Sequence, residues 1–419
     1  MLAVKSVKQR YRPSPRVNEL LEIFRCMVND SIRIGLEKDA SSLKRLSFFT
    51  YTSLKRYSSP SIYRLTAMSK AAGILASRKK STRRGYPTKT PYMSRRALIS
   101  CYGFKIEDGY LRIPLGEKKF ELIPLTPHVV QILSDPLLNV RSFPLTETSL
   151  AFCMSREVEE VECNRTIGVD RNLRNLTVGN QDRVVQYDLS YTVKIADTTR
   201  RIISSFRRDD DRIREKLSPK YGRRRHNRTQ HILHNTTKAV VVDAFKRREA
   251  IVLENIEGIR RLYRRGSGLG PRWRHRMNGW SYGEAQRQLV YKSRWVGLPI
   301  IRLSRSETRG TSAVCPRCGE RLQSDKRLIR KLWCGKCRVV MDRDMVAAIN
   351  LSRRGRVRSA RSRPPIILEA QGRAVEAVKG NPTPTVIPGV DAPKSSHDST
   401  SEKLDRTHST VLYVVNRGS

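Results

Sequence analysis

The four cysteines between positions 315 and 337 constrain the fold more than any other feature of the sequence. They form two C-x₂-C pairs, Cys315 with Cys318 and Cys334 with Cys337, separated by 15 residues. A tight turn at each pair would aim two thiolates at one point, and four thiolates complete the closed tetrahedron of a structural zinc site. The alternative is two redox-active pairs, which would be unusual in a cytosolic protein. The spacing therefore predicts a zinc ribbon over residues 311–340 that holds one structural Zn²⁺.

Charge is distributed unevenly along the 419 residues. The chain carries 83 Lys and Arg against 39 Asp and Glu, a net charge of +44. Residues 364–419 hold six of each sign, so the whole excess lies in residues 1–363. Such an excess calls for a polyanionic partner, and nucleic acid is the obvious one. The hydrophobic fraction of 38% is enough for folded cores, which excludes a mainly disordered basic protein.

Two further classes are excluded by what the sequence lacks. No run of about 18 apolar residues is present, so we expect no membrane-spanning segment. The first residues, MLAVKSVKQRYRP, lack the apolar stretch of a secretory signal, so we expect a cytoplasmic protein.

The periodicity of apolar residues changes along the first part of the chain. In residues 13–95 apolar side chains recur at i, i+3, i+4 and i+7, which predicts helices. Residues 96–157 read as short alternating strands, with Asp108-Gly109 as a hairpin turn. The sequence therefore predicts a helical unit followed by a small β unit.

Residues 158–310 combine strand-like runs with helical stretches, which indicates an α/β core. Helices are predicted over 195–217 and 223–249, with a turn at Ser218–Gly222, and over 282–296, where Ser281 and Glu284 fit a capping box. The Pro-, Ser- and Thr-rich residues 357–419 lack periodicity, and we predict that they are disordered.

Three acidic residues stand in apolar surroundings within the basic body. Asp170 follows the strand-like run Thr-Ile-Gly-Val, and Glu254 closes Ile-Val-Leu. Asp344 falls in the first turn of a helix that Asp342 can cap. Taken singly, each acid could be a cap or a salt-bridge partner, and Asp342 is an alternative third member of the set.

The three carboxylates could meet at the edge of one sheet. Two unpaired carboxylates about 4 Å apart would repel by roughly 4 kcal/mol at an effective dielectric constant near 20, so a cluster of three predicts a cation site. Oxygen ligands and a nucleic-acid partner favour Mg²⁺, and two ions could activate water and stabilise the leaving oxygen of a phosphodiester.

The acidic motifs and the cysteines occur in an order that resembles a known family. GVDRNLRNL, IVLENI, and TSAVCPRCG followed by LWCGKC and DRDMVAAINL are similar to the RuvC-type nuclease core of TnpB, the OrfB-type transposon-encoded proteins related to type V CRISPR nucleases. The resemblance is specific over residues 165–353 and looser over 1–157. The chain departs from the family pattern at Asn172, where Gly is common, and at Val346, where Asn is common.

The resemblance implies a multidomain α+β and α/β protein with an RNase H-like, RuvC-type nuclease core and an inserted zinc ribbon. The implied parts are a first wedge strand at 1–12, a helical recognition lobe at 13–95, a β wedge at 96–157, the core at 158–310, the ribbon at 311–340, the last RuvC helix at 341–356 and the disordered tail at 357–419.

The resemblance also implies an activity and its partners. Asp170, Glu254 and Asp344 would be the catalytic residues and would hold two Mg²⁺ ions. A guide RNA encoded by the transposon would direct cleavage of double-stranded DNA in a prokaryotic cytoplasm, in association with the nucleoid. A nuclease-inactive, RNA-guided DNA-binding regulator and an accessory transposase protein are the alternatives.

Basic and aromatic clusters are candidates for contacts with nucleic acid. For Trp273, which lies among arginines, core packing is an equal alternative to base stacking. His226, His231 and His234 have helical spacing but no acidic or thiol ligand nearby, so we expect no metal there. The candidate contact residues are Lys79, Lys80, Arg83, Arg84, Arg223, Arg224, Arg225 and Trp273.

Overall fold

The computed structural model separates the chain into two compact units. Of the described residues, the first unit comprises 2–157, and the second comprises residue 1 with those from 158 to 362 and from 411 to 414. Each unit has its own hydrophobic core. The residues that the structure describes are 1–116, 118–207, 209–256, 259–263, 266, 268, 270–324, 329–362 and 411–414.

The N-terminal unit, residues 2–157, combines helices with two antiparallel sheets, whose strand orders are β1-β7-β6-β2 and β3-β4-β5. Its elements are β1 (Leu2–Arg10), α1 (Pro15–Glu37), α2 (Leu43–Thr50), α3 (Ser61–Arg83), β2 (Ala97–Ser100), β3 (Lys105–Glu107), β4 (Tyr110–Gly116), β5 (Lys119–Pro124), α4 (Pro127–Leu133), β6 (Asn139–Thr146) and β7 (Ser149–Glu157).

Local sequence signals explain several of these elements. Helix α1 begins at Pro15, and the hydroxyl of Ser14 accepts a hydrogen bond from the Val17 amide as its N-cap. The predicted hairpin turn is confirmed, because Asp108 and Gly109 join β3 to β4 with φ of 51° and 76°. Helix α4 was not predicted from the alternating pattern around it.

The C-terminal unit, from residue 158, is built on a sheet of order β12-β11-β8-β9-β10-β16. Its elements are β8 (Arg165–Arg171), β9 (Asn175–Gly179), β10 (Arg183–Asp188), α5 (Ser190–Ser204), α6 (Ser218–Lys246), β11 (Glu249–Glu254), α7 (Pro271–Gly279), α8 (Tyr282–Trp295), β12 (Ile300–Leu303), β13 (Gln323–Ser324), β14 (Lys331–Cys334), β15 (Val339–Asp342), α9 (Arg343–Ser362) and β16 (Val411–Val414). Strands β8, β11 and β12 are parallel, whereas β8, β9 and β10 form an antiparallel meander.

Helix α9 packs against β8 at a glycine. A Cβ at Gly168 would lie 2.0 Å from the carbonyl oxygen of Ala348, so only glycine permits this approach. Two buried hydrogen bonds hold the same pair of elements together, from the Thr166 hydroxyl to the Ser352 carbonyl at 2.8 Å and from the Ser352 hydroxyl to the Thr166 carbonyl at 2.7 Å. The helix is therefore fixed over the strand that carries Asp170.

Two predicted features of the helices in this unit are wrong. Residues 218–222 form no turn, because Pro219 lies in the first turn of α6, where proline is tolerated, and α6 runs unbroken from Ser218. The capping box at Ser281 is also absent, since its side chain forms no capping hydrogen bond and Glu284 bonds instead to Arg287 and Gln288. The predicted end of α8 is confirmed, as Gly297 follows it with a φ of 74°.

The predicted tail at 357–419 is only partly consistent with the structure. Helix α9 continues to Ser362, and residues 411–414 form a strand paired antiparallel with β10. Residues 363–410 and 415–419 of that prediction lie outside the described residues. None of the helices in the described ranges combines the length and apolarity needed to cross a membrane.

Candidate functional site

Asp170 and Glu254 lie at the carboxyl ends of two neighbouring parallel strands. Val169 of β8 is in register with Leu253 of β11, so the two acids follow at adjacent positions. Burial, and next the charge of Glu254, raise the pKa of Asp170 to about 7, while a hydrogen bond from Asn172 opposes the shift. Burial also raises the pKa of Glu254. Both carboxylates are therefore disfavoured in their charged form unless a cation is nearby.

Asp344 is supplied by the first turn of α9 and is only 3% exposed. The side chain of Asp342 accepts hydrogen bonds from the backbone amides of Asp344 at 2.9 Å and Met345 at 3.2 Å. Asp342 thus caps the helix, as the sequence predicts, and its carboxylate is occupied in doing so. This contact distinguishes it from Asp344, whose side chain accepts a hydrogen bond from Asn175 and forms an ion pair with Arg330.

Two asparagines link the first carboxylate to the third. The Nδ2 of Asn172 donates to Asp170 Oδ2 at 2.8 Å and to Asn175 Oδ1 at 3.1 Å. The Nδ2 of Asn175 donates in turn to Asp344 Oδ2 at 3.2 Å. Asn172, the first departure from the family pattern, therefore contacts the first carboxylate directly.

Arg330 is a site residue that the sequence analysis missed. Its guanidinium forms an ion pair with Asp344 and lies 3.4 Å from Asn172 Oδ1. The residue has a φ of 64°, and its side chain is half-exposed. Nothing distinguishes it in the sequence from the many other arginines, because the contact depends on how β14 leads away from its preceding turn.

The three carboxylates interact but do not form a closed cage. The charge of Asp344 contributes to the raised pKa of Asp170, as does that of Glu254. In the described part of the chain, however, only the cysteines bring three or more ligand atoms within 4.8 Å of one another. The expectation that the acids meet at one edge is met in part, with Arg330 paired to the third.

The four predicted cysteines form a compact cluster. All four Sγ atoms lie within 4.8 Å of one another, with 3.9 Å between Cys315 and Cys337 and 3.5 Å between Cys318 and Cys334. A tetrahedral zinc ion with Zn–S bonds of about 2.3 Å requires Sγ atoms about 3.8 Å apart. The backbone amide of Glu320 lowers the pKa of the Cys318 thiol. The cluster could therefore hold one zinc ion.

The cysteine module, residues 311–342, packs against α9. Val346 is 1% exposed and packs in a small core with Cys315, Cys334, Leu322 and Leu332. One turn further, the Asn350 amide donates to the Thr311 carbonyl at 2.8 Å and the Val314 carbonyl at 2.7 Å. Val346, the second departure from the family pattern, thus supports the module and lies on the opposite side of the helix from Asp344.

The candidate nucleic-acid contacts lie on helices of both units. In α3 and its C-cap, Lys80, Arg83 and Arg84 are exposed, while Lys79 pairs with Asp39 at 3.2 Å. In α6, Arg223 and Arg224 are exposed and Arg225 is half-buried. The indole of Trp273 is 45% exposed and meets the ring of Tyr263 edge-on, with a centroid distance of 6.5 Å. None of these positions lies in the set of residues that surrounds Asp170.

One histidine of α6 serves packing. His234 is buried, its Nδ1 lies 3.3 Å from the Tyr291 hydroxyl, and burial lowers its pKa to about 4. Among the described residues, it forms no cluster of potential metal ligands with His226 and His231.

Comparisons with known proteins place this architecture in a class. A family model described as "Cas12f1-like, TNB domain" matches residues 282–351, which include α8 and the cysteine module. The fold is similar to that of the protein in the cryo-EM structure of a Cas12f1–sgRNA–target DNA complex, with a TM-score of 0.57 and 13% sequence identity. The match covers 81% of this chain and 83% of the chain in that structure. The fold is therefore Cas12f-like, with mixed α and β content.

A curated relative matches more than half of the chain. The TnpB-like protein MJ0751 of Methanocaldococcus jannaschii is 26% identical over 269 residues, which cover 59% of this chain and 91% of the relative. The resemblance found in the motifs is thereby confirmed, and the chain is similar to a TnpB-like protein.

Proposed function

We propose that this protein is an RNA-guided DNA endonuclease that hydrolyses phosphodiester bonds with two Mg²⁺ ions at Asp170, Glu254 and Asp344. The observation that carries the proposal is the joint placement of the three acids. Two end adjacent parallel strands, and the third stands on the helix fixed over one of those strands. In a chain similar to a TnpB-like protein, this arrangement supports the RuvC-type core that the motifs predict.

The residues around the acids fit a divalent cation. The donor set is made of carboxylate oxygens, which Mg²⁺ prefers, and burial and the charge of Glu254 raise the pKa of Asp170, so a cation there would favour its charged form. When bound, the ions would activate water and stabilise the leaving oxygen. Asn172 and Asn175 orient Asp170 and Asp344 through their hydrogen bonds. A metal ion at Asp344 would compete with the guanidinium of Arg330, which is paired with Oδ1 of that carboxylate.

We assign a structural role to zinc in the cysteine module, as a ribbon. All four positions of a tetrahedral ion are taken by thiolates, which leaves no open position for a substrate. The stripe of α9 residues that contacts the module would then place Asp344 in a fixed position once zinc has folded the module.

The partners of the proposed reaction are a guide RNA encoded by the transposon and a double-stranded DNA target. A net charge of +44 suits a protein that holds two nucleic acids together, and the Cas12f1 complex of similar fold contains an sgRNA and target DNA. An archaeal relative is consistent with a prokaryotic cytoplasm as the compartment.

A nuclease-inactive, RNA-guided regulator is the second candidate. The ion pair between Arg330 and Asp344 favours it, because a guanidinium already neutralises the third carboxylate. The two candidates share RNA and DNA binding and differ only in cleavage.

One experiment separates them. The protein is purified with its bound nucleic acid, the RNA is sequenced, and a plasmid library that carries the matching target is challenged with and without Mg²⁺. We expect Mg²⁺-dependent cutting that falls below detection in Asp170→Asn and Glu254→Gln and persists in the control Asp182→Asn, an exposed acid at the β9–β10 turn. Binding without cutting in the wild type would support the regulator, and unchanged cutting in Asp170→Asn would refute the catalytic assignment.

A further inference from the structure

The hairpin between β8 and β9 brings a side-chain amide to the edge of the carboxylate site. Asn172 directly follows the last residue of β8, the strand that carries Asp170. Its backbone amide donates to the Asn175 carbonyl at 3.0 Å and so closes the hairpin. The backbone therefore fixes the point from which the Asn172 side chain extends.

The contacts of Asn172 determine which way its amide group points. Its Nδ2 donates to Asp170 Oδ2 at 2.8 Å and to Asn175 Oδ1 at 3.1 Å. The reverse orientation would place an oxygen against both of these oxygens, so the assignment follows from the chemistry of the partners. The carbonyl oxygen of Asn172, Oδ1, is left for a positive group, and it contacts Arg330 Nη2 at 3.4 Å.

One nitrogen atom joins this carbonyl to the third carboxylate. The same Nη2 of Arg330 forms the ion pair with Asp344 Oδ1. An amide oxygen from the hairpin and a carboxylate oxygen from α9 thus contact a single positive group. The two oxygens converge on a position that a cationic group already occupies.

The guanidinium of Arg330 is a replaceable occupant of that position. Its side chain is half-exposed, so water screens the ion pair, and holding a long side chain in place costs entropy. A divalent cation carries twice the charge and accepts oxygen ligands from carboxylates and from side-chain amides. Once Arg330 has left, Asn172 Oδ1 has no other hydrogen-bond partner among the described residues.

We propose that Asn172 is a fourth oxygen ligand of the metal site, whose Oδ1 binds a divalent cation together with Asp344 Oδ1 at the position of the Arg330 guanidinium. The inference rests on the proposed nuclease function and deepens it. The family pattern has Gly at this position and supplies no such oxygen. The donor end of the same amide holds Asp170, so one side chain serves the first and the third carboxylate.

Metal binding without turnover tests the ligand. The full-length protein, with its zinc retained and its nucleic acid removed at high salt, is titrated with Mn²⁺ as the probe, and EPR measures the free ion. We expect Asn172→Gly to weaken Mn²⁺ binding at least about tenfold, since even an outer hydrogen-bond partner of a metal site is worth about 10–100-fold in affinity. The control Asn164→Gly, at an exposed asparagine just before β8, should leave the affinity unchanged.

The change Asn172→Asp distinguishes a ligand from a group that only orients Asp170. A carboxylate at this position keeps an oxygen for the ion but no longer donates to Asp170. We expect Asn172→Asp to tighten Mn²⁺ binding several-fold more than Arg174→Gln does, which lowers the net charge equally on an exposed side chain of the same hairpin. Binding weaker than in the wild type, or an effect no larger than that of Arg174→Gln, would overturn the ligand.

A double variant tests whether the ion or the guanidinium uses the carbonyl. If Asn172 served only to hold Arg330, Asn172→Gly would release a competitor and tighten Mn²⁺ binding. As a ligand, Asn172 should contribute to Mn²⁺ affinity in the Arg330→Gln background as well. Loss of the Asn172→Gly effect in that background would overturn the proposal.

The two proposals fail in different ways. Normal plasmid cleavage by the wild type, with unchanged Mn²⁺ affinity in Asn172→Gly, overturns the fourth ligand alone. Mn²⁺ binding that depends on Asn172, in a protein that never cuts its matching target, overturns the nuclease alone.

Discussion

Single residues at the carboxylate site act mainly through charge. Asp170 has a pKa near 7 because it is buried beside Glu254, whereas its ordinary value is 3.8. Between those values the native protein binds a proton that the unfolded chain releases. The free energy of unfolding of the metal-free protein should therefore fall as the pH rises from about 4 to about 7 through this group.

The change Asp170→Asn removes that dependence. Without divalent metal, we expect the variant to have a higher melting temperature than the wild type at pH 8 and little difference at pH 4. Thermal unfolding in EDTA at both pH values measures this difference in melting temperature, with Asp182→Asn as a control. A variant that is less stable than the wild type at pH 8 would contradict the raised pKa.

The ion pair of Arg330 bears on metal binding at a second carboxylate, that of Asp344. This ion pair neutralises Asp344, and a bound Mg²⁺ would have to compete with it. We expect Arg330→Gln to tighten Mg²⁺ binding several-fold in calorimetric titrations of the metal-free protein. The control Lys331→Gln changes the same net charge one residue away, and an equal effect of both variants would mean that Arg330 acts only through general charge.

At the scale of elements, α9 organises the site with two stripes of side chains. One stripe lies toward β8 and recurs every four residues: Asp344, Ala348 and Ser352. A second stripe contacts the cysteine module and consists of Val346, Asn350 and Arg353. The position of the third carboxylate, Asp344, therefore depends on how α9 packs against both β8 and the cysteine module.

The change Gly168→Ala tests the close packing of α9 against β8. The added Cβ meets backbone atoms of α9, which cannot rotate away as a side chain can. We expect a loss of about 1–3 kcal/mol in the free energy of unfolding, measured with denaturant. The control Gly222→Ala, where a Cβ meets nothing within 4 Å, should cost little.

The cysteine module provides the second test of an element. We expect Cys318→Ser to lose the bound zinc, measured by atomic absorption, and to expose residues 311–342 to proteolysis, while the N-terminal unit stays resistant. Cys163→Ser, a half-buried isolated cysteine, should keep full zinc content. Zinc retained at one ion per chain in Cys318→Ser would refute the four-thiolate site.

At the scale of the whole molecule, local sequence patterns predicted the elements that carry the candidate site better than the contacts between residues that are distant in sequence. The positions of Asp170 and Glu254 at strand ends and the clustering of the cysteines could be predicted, because strand ends and C-x₂-C turns are encoded by adjacent residues. The ion pair of Arg330 could not, since it depends on the path of the chain between β13 and β15. The turn at 218–222 was mispredicted because proline starts a helix as readily as it marks a turn.

The two faces of α9 also have an evolutionary consequence. On the proposed function, a lineage that lost zinc binding would disturb the helix that carries the third carboxylate, so cleavage and the cysteine module should be inherited or abandoned together. Descendants that kept only the recognition of nucleic acid would be released from both constraints at once. In such sequences, decay of the four cysteines should accompany substitution of Asp344, while Gly168 persists wherever the helix still packs on its strand.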